Sequence, residues 1–440
     1  MKIGPHFMKL FWHPYFVFYL REYSSKPLNM TVLSLVTRQS AAVALSKPFY
    51  STNACIGLAS AFVTGSRQLS TNPHTLQNTS SLQDQSSSAS SVHDKLESIV
   101  SSFRAPVRFA LAYGSGVFQQ KGYDAIHSPL DSVNENKASS LNEKPMVDFI
   151  FGVVHSEHWH SLNIKQNPHH YSSIAGLGSG SIAKIQDSFG AGLFYNPDVV
   201  VEGARIKYGV VRLDRLINDL NEWDTMYIAG RMHKPTMILR DDARVRLASQ
   251  TNLLNAVRIS LLMLPHQFTE EDLFLKIAGL SYQGDFRMKF GENPYKIYNI
   301  VYTQMDAFRD KYKPIIEEIP NVNYLFDGTL QQEDNIVMCG SMIRQLPKKL
   351  YSIIKYHHLW YLSRSGKLNT DMTEPALSQS IVQSPELTLY VEKALADVVA
   401  IPALTQSIKG VLTAGVSRSI KYAGEKIGKM MSGKEPTKIH

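Results

Sequence analysis

Cysteine is almost missing from this sequence: of 440 residues only Cys55 and Cys339 carry a thiol. Cys55 lies in an N-terminal segment of distinct composition. If that segment is removed, one thiol is left and no intramolecular disulfide can form, which fits a reducing compartment. Long hydrophobic runs are also lacking. There is no stretch of eighteen uninterrupted apolar residues, so the chain reads as having no transmembrane helix. Acids are scarce at both ends. Glu22 and Asp84 are the only ones before Asp94, and Glu425 and Glu435 the only ones after Asp397.

What is present is enough for two domains: 440 residues, 44% hydrophobic and 19% charged. The formal net charge of +8 favours anionic partners without choosing among nucleotide, nucleic acid and anionic lipid.

Residues 1–95 stand apart. Arg21, Lys26, Arg38, Lys47 and Arg67 meet almost no acids, and Ser70–Ser91 is rich in hydroxyls. This is the composition of a mitochondrial transit peptide followed by a disordered linker. Met30 to about Arg67 fits it best; Met1–Tyr23 is aromatic and fits it less well.

The folded part opens on a helical pattern, Leu96, Ile99, Val100 and Phe103. A short apolar strand then runs from Phe109 into Gly114-Ser115-Gly116. After a polar loop at Asp131–Lys144 comes Val147-Asp-Phe-Ile-Phe-Gly-Val153, the near-continuous apolar run of a strand covered on both faces. Trp159–Asn167 reads as a helix up to Pro168, Arg205–Val211 as a strand and Leu213–Asn221 as a helix. Gly178-Ser-Gly180 reads as a flexible connection. A second unit starts near Asp241. It has an apolar-periodic Asn252–Leu264, then Thr269 ahead of three acids as a helix start, with Gly279 as its end. Phe286–Phe290 reads as a strand, and helix, helix, strand pair is a winged-helix-like order. Residues 360–384 read as loop.

Near the C-terminus Leu404, Ile408, Val411, Leu412, Val416, Ile420, Ile427 and Met431 recur at helical spacing. Lys409, Arg418, Lys421, Lys426, Lys429 and Lys434 fill the rest of the surface. Gly410, Gly415, Gly424 and Gly428 each weaken a helix in water by about 1 kcal/mol relative to alanine. A basic amphipathic segment of low intrinsic helicity suits an element that folds on an anionic bilayer.

The chemistry is concentrated in two places. A glycine-flanked serine lets backbone approach phosphate oxygens. Asp148, a carboxylate inside a buried strand, needs an ion-pair partner or a metal. Together they are what metal-assisted nucleotidyl transfer requires. Separately they are common: Gly-Ser-Gly is an ordinary turn and a strand acid can be a structural ion pair. His155, His158, His160, His169 and His170 match no standard zinc spacing.

Several further stretches, in order, carry a resemblance. They are Tyr113-Gly-Ser-Gly-Val-Phe118, Val147-Asp-Phe-Ile-Phe151, Trp159-His-Ser-Leu-Asn163, His170-Tyr-Ser172, Ala191-Gly-Leu-Phe-Tyr-Asn-Pro197, Ile206-Lys-Tyr-Gly209, Tyr227-Ile-Ala-Gly-Arg231, Lys234-Pro235, Ile277–Tyr282 and Gly284-Asp-Phe-Arg-Met288, with patches at Ser407–Gly410 and Ser419–Tyr422. With these the chain resembles the mitochondrial translocator assembly and maintenance protein family, the mitochondrial phosphatidate cytidylyltransferases.

Composition and spacing, together with the resemblance, which does not cover the N-terminal segment or the loop near 360–384, give an α/β fold with four parts. Residues 1–95 are the transit peptide and linker, 96–240 a nucleotidyltransferase-like domain with a mixed sheet, 241–360 a winged-helix-like, mostly helical domain, and 385–440 a basic amphipathic membrane-binding region. The resemblance implies Mg²⁺, CTP and phosphatidate as partners, an anionic inner-membrane surface, and no nucleic acid. The enzyme would sit peripherally on the matrix side of the mitochondrial inner membrane. The product, CDP-diacylglycerol, would feed phosphatidylglycerol and cardiolipin. The rival readings are transfer to another acceptor such as RNA, and a non-catalytic assembly factor for inner-membrane translocases.

Roles follow as expectations. Tyr113, Gly114, Ser115 and Gly116 hold CTP, Asp148 ligates Mg²⁺, and Lys207 clamps phosphate. Arg231 and Lys234 take either the triphosphate or the lipid head group, and His160 contacts substrate or is a hydrogen-bonded core histidine. Asp285 is a further metal acid or caps a turn. The wider nucleotidyltransferase pattern puts a second acid two residues after the first. Here that residue is Ile150, so Asp124, Asp187 or Asp285 supplies the missing ligand, or one ion suffices.

Overall fold

The computed structural model describes residues 91–118, 146–290, 293–369 and 371–414. The transit-peptide segment as far as residue 90, the loop Asp131–Lys144 with Asp124, and the basic residues beyond Ala414 lie outside the described residues.

Two compact units divide the chain. In the smaller one the described residues are 356–369, 371 and 372, chiefly the later part of the helix Lys348–Arg364, where the Arg364 guanidinium lies 5.0 Å from the Trp360 ring centre. The larger unit holds residues 91–355 and 373–414 and contains the sheet and the candidate site.

Its centre is a mixed five-stranded sheet of β1 (Phe109–Tyr113), β2 (Val147–Val153), β3 (Leu193–Val201), β4 (Ala204–Arg212) and β5 (Met237–Arg240), in the order β3-β4-β2-β1-β5. β2 runs parallel to β4, and the other neighbours are antiparallel. The strands expected at Phe109, Val147 and Arg205 are therefore present. β2 is the middle strand, which is why its sequence is apolar almost throughout.

The side-chain period of two sorts β2 between two faces. Phe149 and Phe151 point into an aromatic core with Phe103, Trp159 and Tyr208, where ring centres of Phe103–Phe151 and Phe151–Tyr208 lie 5.2 and 5.3 Å apart. A helix over residues 91–101 covers this core through Leu96, Ile99 and Val100, and the helix Ser156–Gln166 adds Trp159. Asp148, Ile150 and Gly152 alternate onto the opposite face. There a Cβ on Gly152 would come within 2.8 Å of Leu213 Cδ2, at the start of the helix Leu213–Glu222.

The helix Ala243–Leu261 begins the next layer, with the Asp242 carboxylate accepting from the Arg244 amide. Then come β6 (Gln267–Phe268), the helix Glu270–Gly279, the helices Lys296–Thr303 and Met305–Glu317, and the hairpin β7 (Val322–Tyr324) and β8 (Leu330–Gln332). Thr269 and Asp272 form a reciprocal capping box, in keeping with the cap expected there. The three short strands pair in the order β6-β8-β7.

Three local expectations are corrected. Phe286–Phe290 is not a strand: Asp285 accepts from the Arg287 amide at 3.0 Å, and a short helix Arg287–Phe290 follows. Residues 360–384 are not all loop, because the helix Lys348–Arg364 continues into them and Thr373 caps a further helix, Glu374–Val382. Gly178-Ser-Gly180 is the first turn of the helix Gly178–Ser188, not a flexible connection.

The last described element, the helix Leu387–Ala414, is bolted to the sheet domain. The Gln406 side chain donates to Leu193 O at 3.2 Å and accepts from the Ala191 amide at 3.1 Å. Lys409 Nζ donates to the carbonyls of Gln186 and Phe189. Lys409 is thus buried against protein and does not belong to the exposed basic surface where the sequence pattern places it. Ile401, Ile408, Val411 and Leu412 on the same helix are exposed.

Candidate active site

Strand register assembles the first part of the site. Tyr113 pairs with Asp148 across β1–β2, and Asp148 pairs with Lys207 across β2–β4. The three form one row on the face opposite the aromatic core. β1 ends at Tyr113, and the chain leaves the sheet through Gly114 at φ +83°, a backbone region in which side chains are strained. The turn closes with the Val117 and Phe118 amides donating to Gly114 O at 3.1 and 3.0 Å. Asp148 reaches toward this turn, and a Cβ on Gly114 would stand 3.4 Å from Asp148 Oδ2. Gly116 packs closely, since a Cβ there would lie 2.6 Å from Met146 O.

The electrostatics of the row are unfinished. Lys207 Nζ lies 3.4 Å from Asp148 Oδ1, with side chains 19% and 25% exposed. Among the described residues no donor completes a hydrogen bond to that buried oxygen. Lys207 also sits over the Tyr195 ring, 4.7 Å from its centre, and Arg231 over the Tyr113 ring at 4.3 Å. Burial holds the Tyr113 and Tyr195 phenols well above their ordinary value. Burial pushes Tyr227 in the same direction, but Arg287, Arg231 and Lys207 outweigh it and hold that phenol below 10. Three phenols, three cations and a carboxylate therefore converge at one end of the sheet.

Arg231 lies in a short helix, Ala229–Met232, and Lys234 two residues beyond it, in a segment pinned from several sides. The Asp219 carboxylate accepts from the amides of Thr225, Ile228 and Ala229 at 2.9, 2.9 and 3.1 Å. Tyr312 Oη donates to His233 O at 2.7 Å, and Lys311 Nζ to Lys234 O at 2.8 Å. The Lys234 ammonium donates to Gly230 O and Ser281 Oγ at 2.7 and 2.8 Å, and lies 4.6 Å from the Tyr282 ring centre. Arg231, Lys234, Ser281, Asp285 and Arg287 line a cavity, with Val399 and Ala403 of the C-terminal helix as a further wall.

The structure therefore gathers Tyr113, Gly114, Asp148, Lys207 and Arg231 at one end of the sheet, and Arg231 continues into the cavity that holds Lys234. Ser115 and Gly116 follow in the same turn. Other expected residues are differently employed. Asp285 is buried, and its two oxygens take Arg287 Nε at 3.0 and 3.1 Å and an Arg287 Nη at 2.6 Å. It is an arginine partner and turn cap, so a metal would have to displace a bidentate guanidinium. His160 is a core histidine: Nδ1 bonds Tyr171 Oη and Nε2 bonds Gln186 Oε1, both at 2.9 Å, and burial lowers its pKa to about 4. Asp187 bonds Ser156 Oγ at 3.1 Å and lies 3.8 Å from Arg212. Arg212 is five residues along β4 from Lys207, or roughly 16 Å at the usual strand rise. Asp187 thus belongs to the opposite end of the sheet. Ile150 is fully buried.

One half-buried carboxylate with a buried oxygen that accepts no hydrogen bond among the described residues, next to a glycine turn, matches the way Mg²⁺ is usually held: by one or two protein carboxylates, with substrate phosphates and waters completing the shell. Among the described residues no three His, Cys, Asp or Glu side chains gather into a cage.

The family profile described as "Phosphatidate cytidylyltransferase, mitochondrial" matches residues 96–429. The chain belongs to this family. Members similar to it include proteins of that name from Xenopus laevis, 39% identical over 336 residues (76% of this chain, 93% of the relative), and Danio rerio, 38% identical over 338 residues (76% and 94%). A third, from Schizosaccharomyces pombe, is 36% identical over 355 residues (78% and 84%). The match with the phosphatidate cytidylyltransferase family spans the sheet domain, the helical layer and the C-terminal helix.

Sequence reasoning did not single out Tyr227, Arg287, Ser281, Val399 or Ala403. Tyr227, Ser281 and Arg287 lie inside stretches that carry the resemblance, yet nothing in their spacing sets them apart. What assembles them is the fold.

Proposed function

We infer that this protein is a phosphatidate cytidylyltransferase that transfers CMP from CTP to phosphatidate with release of pyrophosphate. Its CDP-diacylglycerol supplies mitochondrial phosphatidylglycerol and cardiolipin synthesis. The observation that carries the site assignment is the Tyr113–Asp148–Lys207 row beside the Gly114–Gly116 turn.

The nucleophile is an oxygen of the lipid phosphomonoester. With a second pKa of about 6 it is largely dianionic at neutral pH, so no general base has to be found. That oxygen bonds to the α-phosphorus of CTP, the bond to the β-phosphate oxygen breaks, and pyrophosphate leaves with the electron pair. The protein's task is to hold two polyanions together and offset their charge. The Gly114–Gly116 turn offers amides and the Ser115 hydroxyl to the triphosphate. Lys207 and Arg231 face the phosphorus under attack, and Lys234 faces the acceptor. Asp148 would hold Mg²⁺, which when bound neutralises the phosphate oxygens and the departing pyrophosphate.

The sheet domain is read as nucleotidyltransferase-like. The order helix, β6, helices, β7, β8, with the pairing β6-β8-β7, supports a winged-helix reading of the second layer. Exposed Ile401, Ile408, Val411 and Leu412, ahead of the basic residues Arg418, Lys421, Lys426 and Lys429, support peripheral attachment to an anionic membrane. Among the described residues no helix is long and apolar enough to cross one. The matrix side of the inner membrane is the proposed location.

Protein lacking residues 1–91, given labelled CTP, phosphatidate and Mg²⁺, should yield a nucleotide product that partitions into organic solvent. Labelling of RNA ends without a lipid product would overturn this reading.

A further inference from the structure

The cavity beside Arg231 has more positive charge than its own carboxylate can balance. Arg231, Lys234 and Arg287 line it, and Asp285 is the only acid among its lining residues. Asp285 is already engaged, since both its oxygens accept from Arg287. Arg231 Nε is buried with no hydrogen-bond partner among the described residues. Lys234, 9% exposed, donates to a carbonyl and a hydroxyl, which are both neutral. Buried cations without a counter-ion are costly, and an arriving anion removes that cost. The titration of Lys234 agrees: burial first, then Arg231, Lys296 and Lys311, hold its pKa well below the ordinary value, with Asp285 opposing.

The far wall is different in kind. Val399 and Ala403, four residues apart and so on one helix face, present apolar surface to the cavity. Their helix sits tightly against the segment that carries Asp285, where a Cβ on Gly284 would come within 2.7 Å of Ala396 Cα. Ile401, between them in sequence, is 69% exposed, so one turn of this helix walls the cavity on one side and shows hydrocarbon on the other.

We propose that this cavity is the seat of the acceptor: a phosphomonoester bearing an apolar substituent, with Lys234 and Arg287 on its phosphate oxygens and Val399 and Ala403 against its glycerol end. The proposal rests on the cytidylyltransferase reading and adds where the second substrate lies. Arg231 is the shared group, because it covers the Tyr113 ring at the nucleotide end and also lines the cavity. The acceptor therefore approaches the α-phosphorus from the Arg231 side. Phosphate chemistry alone would also suit the CTP triphosphate. The apolar wall favours the lipid, and the kinetic arms below separate the two.

The test uses the protein from residue 92 onward in detergent micelles containing phosphatidate, so that vesicle binding plays no part. Arg287→Gln removes a charge-assisted donor pair, Arg287→Lys retains the charge and tests rescue, and Ala403→Leu fills the apolar end. The KM for phosphatidate should rise at least about tenfold in Arg287→Gln and in Ala403→Leu, with the KM for CTP within about twofold of wild type. Arg287→Lys should fall in between. Titration of a short-chain soluble phosphatidate in the absence of CTP should weaken by a similar factor in Ala403→Leu, which leaves the Asp285–Arg287 pair intact and guards against misfolding of Arg287→Gln. A rise in the KM for CTP instead, or no change in either KM, overturns the assignment. A wild-type protein that makes no lipid product at all would sink the preceding reading instead.

Discussion

Lys207 Nζ lies 3.4 Å from Asp148 Oδ1, and the two residues are register partners in the parallel pairing of β2 with β4. The pair is partly exposed, so it adds little to stability. The lysine instead holds a second positive charge beside the proposed metal ligand. Asp148→Asn should keep the fold, with a urea midpoint close to wild type, and lower kcat by at least about 100-fold. Mg²⁺-dependent tightening of CTP binding should vanish with it. A variant that retains Mg²⁺-dependent turnover would remove Asp148 from the site.

Gly116 is confined by backbone: an added Cβ would meet Met146 O at 2.6 Å and Val147 Cα at 3.0 Å. Backbone at the start of β2 cannot swing aside as a flexible side chain can, so Gly116→Ala should push the phosphate turn away from Asp148. The expected result is at least about tenfold weaker CTP binding by titration, at a stability cost of about 1–3 kcal/mol.

Burial lowers the pKa of Lys409 from 10.5 to about 7. Between these values the unfolded chain binds a proton that the folded chain does not, so stability rises with pH across that window and falls as pH drops toward 7. Lys311, lowered to about 7 by burial, adds a contribution of the same sign. The urea midpoint of the wild type should increase from pH 7 to pH 9. Lys409→Met should flatten that rise. It should also be the less stable protein at pH 9, by about 1–3 kcal/mol, because the carbonyls of Gln186 and Phe189 lose their donor.

Ile408 and Leu412 are 43% and 70% exposed on the C-terminal helix. Replacing both with Glu should reduce flotation with cardiolipin-containing vesicles at least about tenfold, while activity on micellar substrate stays near wild type. Unchanged flotation would place membrane attachment elsewhere.

The sequence pattern shows most where a residue's fate is set by near neighbours. β2 is legible because a run covered on both faces has to be apolar, and Asp148 stands out within it for the same reason. The Thr269–Asp272 cap is legible because its bonds close within one turn. The pattern fails where a local or distant partner overrides periodicity. Phe-Arg-Met-Lys-Phe alternates like a strand, yet Asp285 captures Arg287 and starts a helix. The Thr373 cap with Pro375 in the first turn is a helix start inside a stretch whose overall composition reads as loop. Lys409 counts as one more basic residue on an amphipathic helix until carbonyls more than two hundred positions earlier receive its ammonium. His160, in a Trp-His-Ser stretch that invites a substrate contact, has both ring nitrogens bonded inside the core. The cation-rich cavity is assembled from residues 225 to 403 and has no linear signature.

The C-terminal helix has a consequence for how the protein comes into being. It begins at residue 387 of 440, and Val399 and Ala403 lie later still. During synthesis the sheet, the glycine turn and Asp148 emerge first, so a nascent or prematurely terminated product could bind nucleotide while having no complete place for a lipid. If Val399 and Ala403 seat the acceptor as proposed, the last tenth or so of the polypeptide turns a nucleotide-binding fold into a lipid-modifying one.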